Sequence, residues 1–535
     1  MKYSTDVLVI GGGSAGLHAV IEARKCGAKV MLVHKGRGNA TIMAAGGFAG
    51  NFPVAEETEV EKINRVFVED IINAGRHMNN EQIVKTLVER SGQEIKALQK
   101  QQVNFIENEN KELKLFHASG HTHPRTVRCL DGHTRQYYSL LRNKALESGV
   151  HMINHGTIID LIKQGGKIRG AIGVWNNQVM NISCTSVILA TGGIGANYHF
   201  STHKKAIQGQ GLTMALKAGA SLIDMEFIQF MPTVLAYPEK VSGLIVTDTL
   251  RGEGAILLNK NMERFMEKYS PEKKDRETRD TVSKCIFQEI AEGRGTKNNT
   301  VYLDARRISR KRIKESFTNY PLLMKAGIDP VKDLIEISPG AHYMCGGIKI
   351  DENAFTGVRG LWAAGEATGG LHGANRLGSV ALTENIVYGK IAGKNAALYS
   401  MENKQDIGKD KDRTIFESFD SVEYRDIIQR LRQILSSTAG IVRNEKDLLE
   451  GLEEVTNILD RLKNMEKGKG EFVYDLSHVQ AQSLALISYC IIKACQMRKE
   501  SRGTHFRKDY PKEKKNFSKQ IIIRQDEERI IHYFG

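Results

Sequence analysis

The segment 7–16, with the sequence VLVIGGGSAG, most constrains what this chain can fold into. Its apolar, β-branched beginning predicts a buried parallel strand, and residues 17–26 predict a helix that ends at Gly27. The Gly-x-Gly-x-x-Gly pattern between them allows a tight turn, close approach of a pyrophosphate and close helix packing. The helix N-terminus offers free N–H groups to that anion. The residues expected to form this dinucleotide site are Gly11, Gly13, Ser14, Ala15 and Gly16.

A second strand, residues 29–33, ends in His34 and Lys35 instead of an acidic residue. A carboxylate at this position would bind the ribose hydroxyls, so the ribose contact must be made differently or elsewhere. His34 and Lys35 are retained as candidate cofactor contacts. They leave the choice between NAD and FAD open.

A second glycine-rich turn, together with the first, favours FAD over NAD. Residues 186–190 predict a strand that runs into Thr191, Gly192 and Gly193, a second point where backbone can meet the cofactor. The Gly46-Gly47 pair lies in a stretch of small residues that would let backbone approach a flat group. The sequence therefore predicts a Rossmann-like FAD-binding fold.

Length and patterning predict several domains. A chain of 535 residues is too long for one ordinary core, so two or three domains are expected. The alternation of strands and helices breaks between about residues 233 and 338, which predicts an inserted second domain, and the cofactor pattern resumes at 347–367. The last part is helical, with an apolar stripe at helical spacing. This stripe comprises Leu448, Leu452, Val455, Leu459 and Leu462.

Composition predicts a globular chain without a membrane span. Hydrophobic residues make up 41% and charged residues 26%, and the apolar stretch 484–495 is too short to cross a bilayer. Residues 1–6 lead directly into the first strand, so no signal peptide is expected. We expect a cytoplasmic protein, or one held peripherally at the membrane by a partner.

Cysteine spacing and charge limit the possible partners. The seven cysteines include no C-x-x-C pair, so no zinc site and no iron-sulfur cluster is expected, and the histidines of the 117–123 loop lack companion ligands. The net charge of +14 suits an anionic substrate, an acidic partner or nucleic acid. No nucleic-acid motif is present, so we expect none to bind.

Arginine and histidine recur in glycine-bounded loops of the second half. They occur in the segments 251–254, 279–280, 342–347 and 372–378. A guanidinium binds a carboxylate through two charge-assisted hydrogen bonds. Two or three such groups that converge on a flavin would hold a small dicarboxylate for hydride transfer.

With these motifs the sequence closely resembles the flavoprotein family of fumarate reductase, succinate dehydrogenase and L-aspartate oxidase. The resemblance extends from Asp6 to Arg507. It implies an α/β fold with a Rossmann-like FAD-binding domain, an α+β capping domain inserted in it, and a C-terminal helical domain. The implied boundaries are 1–236 and 341–405 for the FAD-binding domain, 237–340 for the capping domain and 415–535 for the helical domain.

The resemblance also implies roles for individual residues. Arg279 would exchange a proton with the substrate carbon next to the one that faces flavin N5, with Asp248 and Arg251 on its proton path. An arginine is a poor acid, so this role needs a positioned relay. His342 and Arg376 would bind the substrate carboxylates, assisted by Thr247. The implied FAD contacts beyond the first turn are Gly46, Gly47, Ala190, Thr191, Gly192, Glu366, Arg376, Ser379 and Leu382.

Three departures from the family pattern bear on the substrate. Met231 stands where the family has a histidine, so one hydrogen bond to a carboxylate is lost. Asp248 replaces a glutamate and shortens the reach of the acid by one methylene. Ala40 replaces the histidine that attaches FAD covalently in membrane-bound members, so noncovalent FAD is expected.

Three hypotheses for the activity follow. The first is an FAD-dependent fumarate reductase-like enzyme that receives electrons from an iron-sulfur partner or another donor. The second is an L-aspartate oxidase, which the noncovalent FAD also suits. The third is a flavin-binding electron-transfer subunit whose substrate site has degenerated at Met231 and Asp248, although the retained Arg279, His342 and Arg376 argue against it.

Overall fold

The computed structural model describes most of the chain. The described residues are 1–36, 39–44, 47–52, 57–118, 120–203, 208–403, 414–415, 422–466, 473–474, 476–527 and 529–535. The strands are β1 (Lys2–Ile10), β2 (Val30–His34), β3 (Gly47–Ala49), β4 (Thr126–Arg128), β5 (His151–Asn154), β6 (Thr157–Gln164), β7 (Lys167–Trp175), β8 (Gln178–Leu189), β9 (Leu222–Ile223), β10 (Ile228–Leu235), β11 (Ile256–Leu258), β12 (Val301–Asp304), β13 (Ile335–Met344), β14 (Gly347–Lys349), β15 (Leu361–Ala363), β16 (Thr368–Gly369), β17 (Thr414–Ile415), β18 (Val473–Tyr474), β19 (Ile521–Asp526) and β20 (Arg529–Phe534). The α-helices are α1 (Ser14–Lys25), α2 (Ala40–Met43), α3 (Glu57–Ala74), α4 (Glu81–Lys100), α5 (Arg135–Glu147), α6 (Gln210–Ala218), α7 (Asp248–Gly252), α8 (Met266–Tyr269), α9 (Arg279–Glu289), α10 (Arg310–Ser316), α11 (Tyr320–Lys325), α12 (Val380–Glu402), α13 (Val422–Thr438), α14 (Glu445–Glu466) and α15 (Leu476–Met497).

A seven-stranded sheet carries the first glycine turn. Its order is β5-β2-β1-β8-β7-β6, and β15 also pairs with β8. The strands β5, β2, β1, β8 and β15 are parallel, whereas β7 pairs antiparallel with both β8 and β6. The apolar run Val7–Ile10 is buried in its centre, and α1 and α12 pack together against it. The carboxyl ends of β1, β2 and β8 therefore meet at one edge, where Rossmann-like sheets bind nucleotides. The predicted fold class is confirmed.

A four-stranded sheet belongs largely to the inserted segment. Its order is β10-β13-β12-β11, and all its pairs are antiparallel. Buried apolar residues between Leu235 and Ile337 form a hydrophobic cluster separate from the main one. Because β10 precedes the insert and β13 runs out of it, Met231 and His342 lie where the two parts meet. The exact domain boundaries stay a prediction.

The C-terminal part combines helices with a hairpin. Helices α13, α14 and α15 pack on one another, as the apolar stripe of α14 predicts. Strands β19 and β20 form an antiparallel hairpin that joins β9 in a five-stranded sheet, which the helical interpretation of this region did not include. Within the described part of the chain, no helix combines the length and apolar character needed to cross a membrane.

Candidate active site

The first glycine turn is shaped by contacts that exclude side chains. Gly11 has a φ of 116°, and a Cβ there would lie 2.1 Å from the carbonyl oxygen of Ala190. A Cβ at Gly16 would lie 1.9 Å from the Gly11 oxygen, so this glycine allows strand and helix to pack closely. At Gly13 the nearest atom would be 3.8 Å away, which leaves this position open to a cavity at the N-terminus of α1.

That cavity has a volume of about 160 Å³ and extends between the two predicted glycine turns. Its wall includes most of the predicted FAD contacts. Gly16 does not line the cavity but packs against Gly11, and Gly46 lies outside the described residues. The predicted contacts that line it are Gly11, Gly13, Ser14, Ala15, His34, Lys35, Ala190, Thr191, Gly192 and Glu366.

The end of β2 is polar without a carboxylate. The His34 ring packs on the turn, because a Cβ at Gly12 would lie 2.8 Å from its Cγ. Lys35 Nζ donates a hydrogen bond to the Gln210 side chain, and burial lowers the pKa of Lys35 to about 8. The end of β2 thus offers imidazole, ammonium and amide groups to the cavity.

A buried chain of hydroxyl and imidazole groups lies beneath the turn, and no sequence motif indicated it. Ser14 Oγ is 2.5 Å from the Tyr137 hydroxyl, which in turn is 2.8 Å from His18 Nε2. The Ser14 N–H donates to Thr41 Oγ1 at 3.0 Å. Burial and nearby lysines hold the pKa of His18 well below its usual value, so its ring is neutral.

A second, larger cleft of about 2180 Å³ adjoins this cavity and shares Ala40, Thr41, Glu366 and Asn385 with it. Both parts of the predicted site meet there. The predicted substrate-side residues in its wall are Met231, Thr247, Asp248, Arg251, Arg279, His342 and Arg376, and the predicted flavin-side residues are Gly47, Glu366, Ser379 and Leu382.

Arg279 and Arg251 share the carboxylate of Asp248. Arg279 Nε donates to Asp248 Oδ2 at 2.5 Å, and Arg251 Nη2 donates to Oδ1 at 2.8 Å. Thr247 caps the short helix α7, in which Asp248 is the first residue, by accepting the Thr249 N–H at 3.3 Å. Burial would raise the pKa of Asp248, but the two guanidinium groups outweigh it and hold this pKa below its usual range.

Arg376 is held by groups without a negative charge. Its Nε and Nη2 donate to Gln229 Oε1 at 3.2 and 3.0 Å, and its Cζ lies 4.4 Å from the ring centroid of Tyr343. Among the described residues, it makes no ion pair with a carboxylate. A partly buried cation without an anionic partner is an attractive site for a ligand carboxylate.

His342 faces the cleft next to Arg376 in a neutral state. Its Nδ1 lies 3.0 Å from Thr202 Oγ1. Burial and the charges of Arg376 and Arg279 lower the pKa of His342 well below its usual value. Its neutral ring can donate a hydrogen bond to a carboxylate while the other nitrogen accepts from Thr202.

Glu366 lies between the two cavities and pairs with a histidine that no motif indicated. His203 Nε2 is 3.0 Å from Glu366 Oε1, and the Met344 N–H donates to the same oxygen at 3.0 Å. Burial would lower the pKa of His203, but the charge of Glu366 outweighs it and raises this pKa. A Cβ at Gly193 would lie 2.6 Å from Glu366 Oε1, so the glycine at the end of the 190–193 turn allows this carboxylate to approach the backbone.

Comparison with known proteins identifies the family of the chain. The model of the FAD binding domain family matches residues 6–382. The chain belongs to the flavoprotein family of fumarate reductase and succinate dehydrogenase. The model of the fumarate reductase flavoprotein C-terminal domain matches residues 428–533 of this flavoprotein.

The matches to relatives and to solved structures extend over almost the full length of both chains. It is 32% identical to a fumarate reductase (CoM/CoB) subunit of Methanothermobacter marburgensis, over 97% of both chains. It is also 32% identical to the L-aspartate oxidase of Pyrococcus abyssi, over 96% of this chain and 97% of the relative. A structure of E. coli quinol fumarate reductase FrdA matches with a TM-score of 0.86 and 26% identity, over 100% of this chain and 97% of that one.

The family and the cavity together assign the cofactor. The open Gly13 face at the N-terminus of α1 and the two glycine turns fit a dinucleotide, and the family fixes it as FAD. The flavoprotein is therefore an FAD-dependent oxidoreductase. Across the residues that the structure describes, no three histidine, cysteine, aspartate or glutamate side chains are grouped to hold a metal ion.

Proposed function

We propose that this flavoprotein reduces or forms a carbon–carbon double bond in a small dicarboxylate such as fumarate or succinate. The observation that carries the proposal is the convergence of Arg279, His342 and Arg376 on one cleft that adjoins the FAD cavity. FAD, when bound, supplies a site that donates or accepts hydride. The protein must then bind the acid, orient it and move one proton.

Arg376 and His342 would bind one substrate carboxylate. Arg376 is a partly buried guanidinium whose position is set by Gln229, and His342 adds a hydrogen bond from a neutral ring. A bidentate arginine contact also fixes the plane of the carboxylate. The double bond would thereby be held in one orientation relative to the flavin side of the cleft.

Arg279 would hold or deliver the proton. Its contact with Asp248, at 2.5 Å, continues to Arg251, whose Nη1 donates to the Asp275 carbonyl oxygen at 2.5 Å. The Arg279 side chain is 40% exposed, so its other nitrogens face the cleft and solvent. These contacts support a proton path to Arg279 that includes Asp248 and Arg251, with Asp248 in direct contact with both arginines.

The second carboxylate would be bound more weakly. The Met231 side chain is 3% exposed and lines the cleft next to the segment that carries Thr247, because Val246 N donates to Thr233 O at 2.9 Å. A thioether is only a weak hydrogen-bond acceptor and cannot donate. The Thr247 hydroxyl would be the principal polar contact at this end.

FAD would be bound noncovalently, and a partner would exchange electrons with it. Ala40 lines both cavities and offers no group for covalent attachment. Several relatives are named as subunits, including the succinate dehydrogenase flavoprotein subunit of Coxiella burnetii, at 30% identity. The partner we propose is an iron-sulfur or other electron-transfer protein, through which the chain could also associate peripherally with a membrane.

The test is anaerobic reoxidation of the chemically reduced flavin by fumarate, mesaconate or acrylate. Flavin absorbance is measured as the reaction proceeds. The proposal predicts fast reoxidation by at least one unsaturated acid, and loss of this reaction in Arg279→Gln with FAD retained. Reduction of the oxidised flavin by L-aspartate would instead identify an L-aspartate oxidase. A flavin that binds but reacts with none of these acids would favour an electron-transfer subunit.

A further inference from the structure

A buried polar network adjoins Arg376 and meets the cleft only at Tyr343 among its members. The Tyr343 hydroxyl donates to Glu384 Oε2 at 2.6 Å, and His372 Nε2 lies 3.0 Å from the same oxygen. All three side chains are buried, with Glu384 and His372 each 1% exposed. We call Tyr343, His372 and Glu384 the Glu384 network.

The Glu384 network contacts the proposed substrate site through the ring of Tyr343. The Tyr343 hydroxyl points to Glu384, whereas the face of its ring lies 4.4 Å from the Arg376 Cζ. Burial and the charge of Glu384 raise the pKa of Tyr343 well above its usual value, so the phenol keeps its proton and donates a hydrogen bond to the carboxylate. His372 Nδ1 has no hydrogen-bond partner among the described residues, which fits a ring that donates from Nε2 to Glu384.

We propose that Glu384 is a positioning residue for substrate binding, which acts on Arg376 through the ring of Tyr343. The proposal rests on the proposed function, in which Arg376 binds a substrate carboxylate. A hydrogen bond from the phenol to a carboxylate increases the electron density of the ring, and a cation above the ring face is then attracted more strongly. The guanidinium is thereby held between Tyr343 and Gln229 before the ligand arrives.

This arrangement stabilises the charge of Arg376 and leaves its N–H groups available to the substrate. A carboxylate in direct contact with Arg376 would compete with the substrate for its N–H groups. Glu384 lies one ring farther away, so it stabilises the cation without occupying those groups. The network also joins α12, which carries Glu384, to β13, which carries Tyr343 and His342.

The experiment compares Glu384→Gln and Tyr343→Phe with a matched control, Tyr388→Phe. Tyr388 lies on α12, is buried, and donates its hydroxyl to the Ile83 carbonyl oxygen at 2.8 Å, away from Arg376. Purified FAD-loaded proteins are titrated with succinate to measure Kd from the flavin absorbance change, and KM and kcat for fumarate are measured separately. FAD content and melting temperature report folding.

The expected result is a rise of about three- to thirtyfold in Kd and KM for both network variants, with kcat within about twofold. The control keeps all three values, and the double variant is no worse than either single one because both remove the same interaction. Tyr343→Phe retains every carbon atom of the ring, so it carries the test if Glu384→Gln does not fold.

Two results would overturn the inference. One is a Kd for both network variants that matches that of Tyr388→Phe. The other is an equal fall in FAD content, melting temperature and kcat, which would mean that the network only joins α12 to β13. An unmodified holoprotein that binds neither succinate nor fumarate would refute the proposed function itself and the inference with it, so the two failures are distinguished by the unmodified protein.

Discussion

Replacing Met231 by histidine tests how the cleft binds the second carboxylate. Met231 lies in β10, opposite Gly340 of β13, and lines the cleft with 3% exposure. An imidazole there can donate a hydrogen bond to a carboxylate, which is worth about 1.5 to 3 kcal/mol. At about 1.4 kcal/mol per factor of ten, the Met231→His variant should bind fumarate and succinate roughly ten- to hundredfold more tightly.

The same substitution should cost stability when no ligand is present. A buried imidazole without a partner costs about 1 to 3 kcal/mol, so the melting temperature should fall and then recover on addition of succinate. Flavin absorbance titration gives Kd, and Met231→Leu serves as the apolar control. If Met231→His and Met231→Leu bind succinate equally, with equal FAD content, the second carboxylate does not lie at this position and the assignment of this end of the cleft is wrong.

Three further predictions concern proton transfer and stability. Arg279→Gln should lower kcat by about 10²- to 10⁴-fold with FAD content unchanged, measured by stopped-flow reoxidation; a kcat within tenfold of the unmodified protein would refute the relay. Burial would raise the pKa of Glu289, but hydrogen bonds from Arg294, Asn259 and Tyr269 lower it to about 2. The free energy of unfolding should therefore fall by up to about 3 kcal/mol as pH falls from about 5 to 2. Glu289→Gln should flatten the dependence of melting temperature on pH in that range. Arg498→Leu should cost about 3 to 5 kcal/mol in urea unfolding, because it leaves the buried Glu226 carboxylate, 2.5 Å away, without its cation; a loss under 1 kcal/mol would contradict this.

Local patterns predicted the parts of the fold that local physics decides. The first turn follows from glycine positions that no side chain can occupy, and α1 begins at Ser14, three residues before the prediction, because the turn itself starts the helix. The last part of the chain, which the sequence predicts to be helical, contains the 22-residue helix α15, Leu476–Met497. The β19–β20 hairpin was missed because β19 joins the sheet by pairing with β9, about 300 residues earlier in the chain.

The site is predictable only in part for the same reason. Arginine and histidine in glycine-bounded loops indicated candidate residues for binding an anion, since those side chains carry the chemistry themselves. Gln229, His203 and Glu384 act by orienting other side chains across separations of 147, 163 and 41 residues. No spacing rule links such pairs, because the fold alone brings them together.

Arg279 and Arg376 are prepared for different tasks by their partners. In the proposed reaction Arg279 must give up a proton, and it shares Asp248 with Arg251. When Arg279 becomes neutral, Asp248 loses one of the two cations that lower its pKa, so its affinity for a proton rises at the moment when Arg279 must be reprotonated. Arg376 has no carboxylate partner among the described residues and must stay charged to hold its ligand. A shared carboxylate therefore suits the group that exchanges a proton, and a neutral amide with an aromatic ring suits the group that binds.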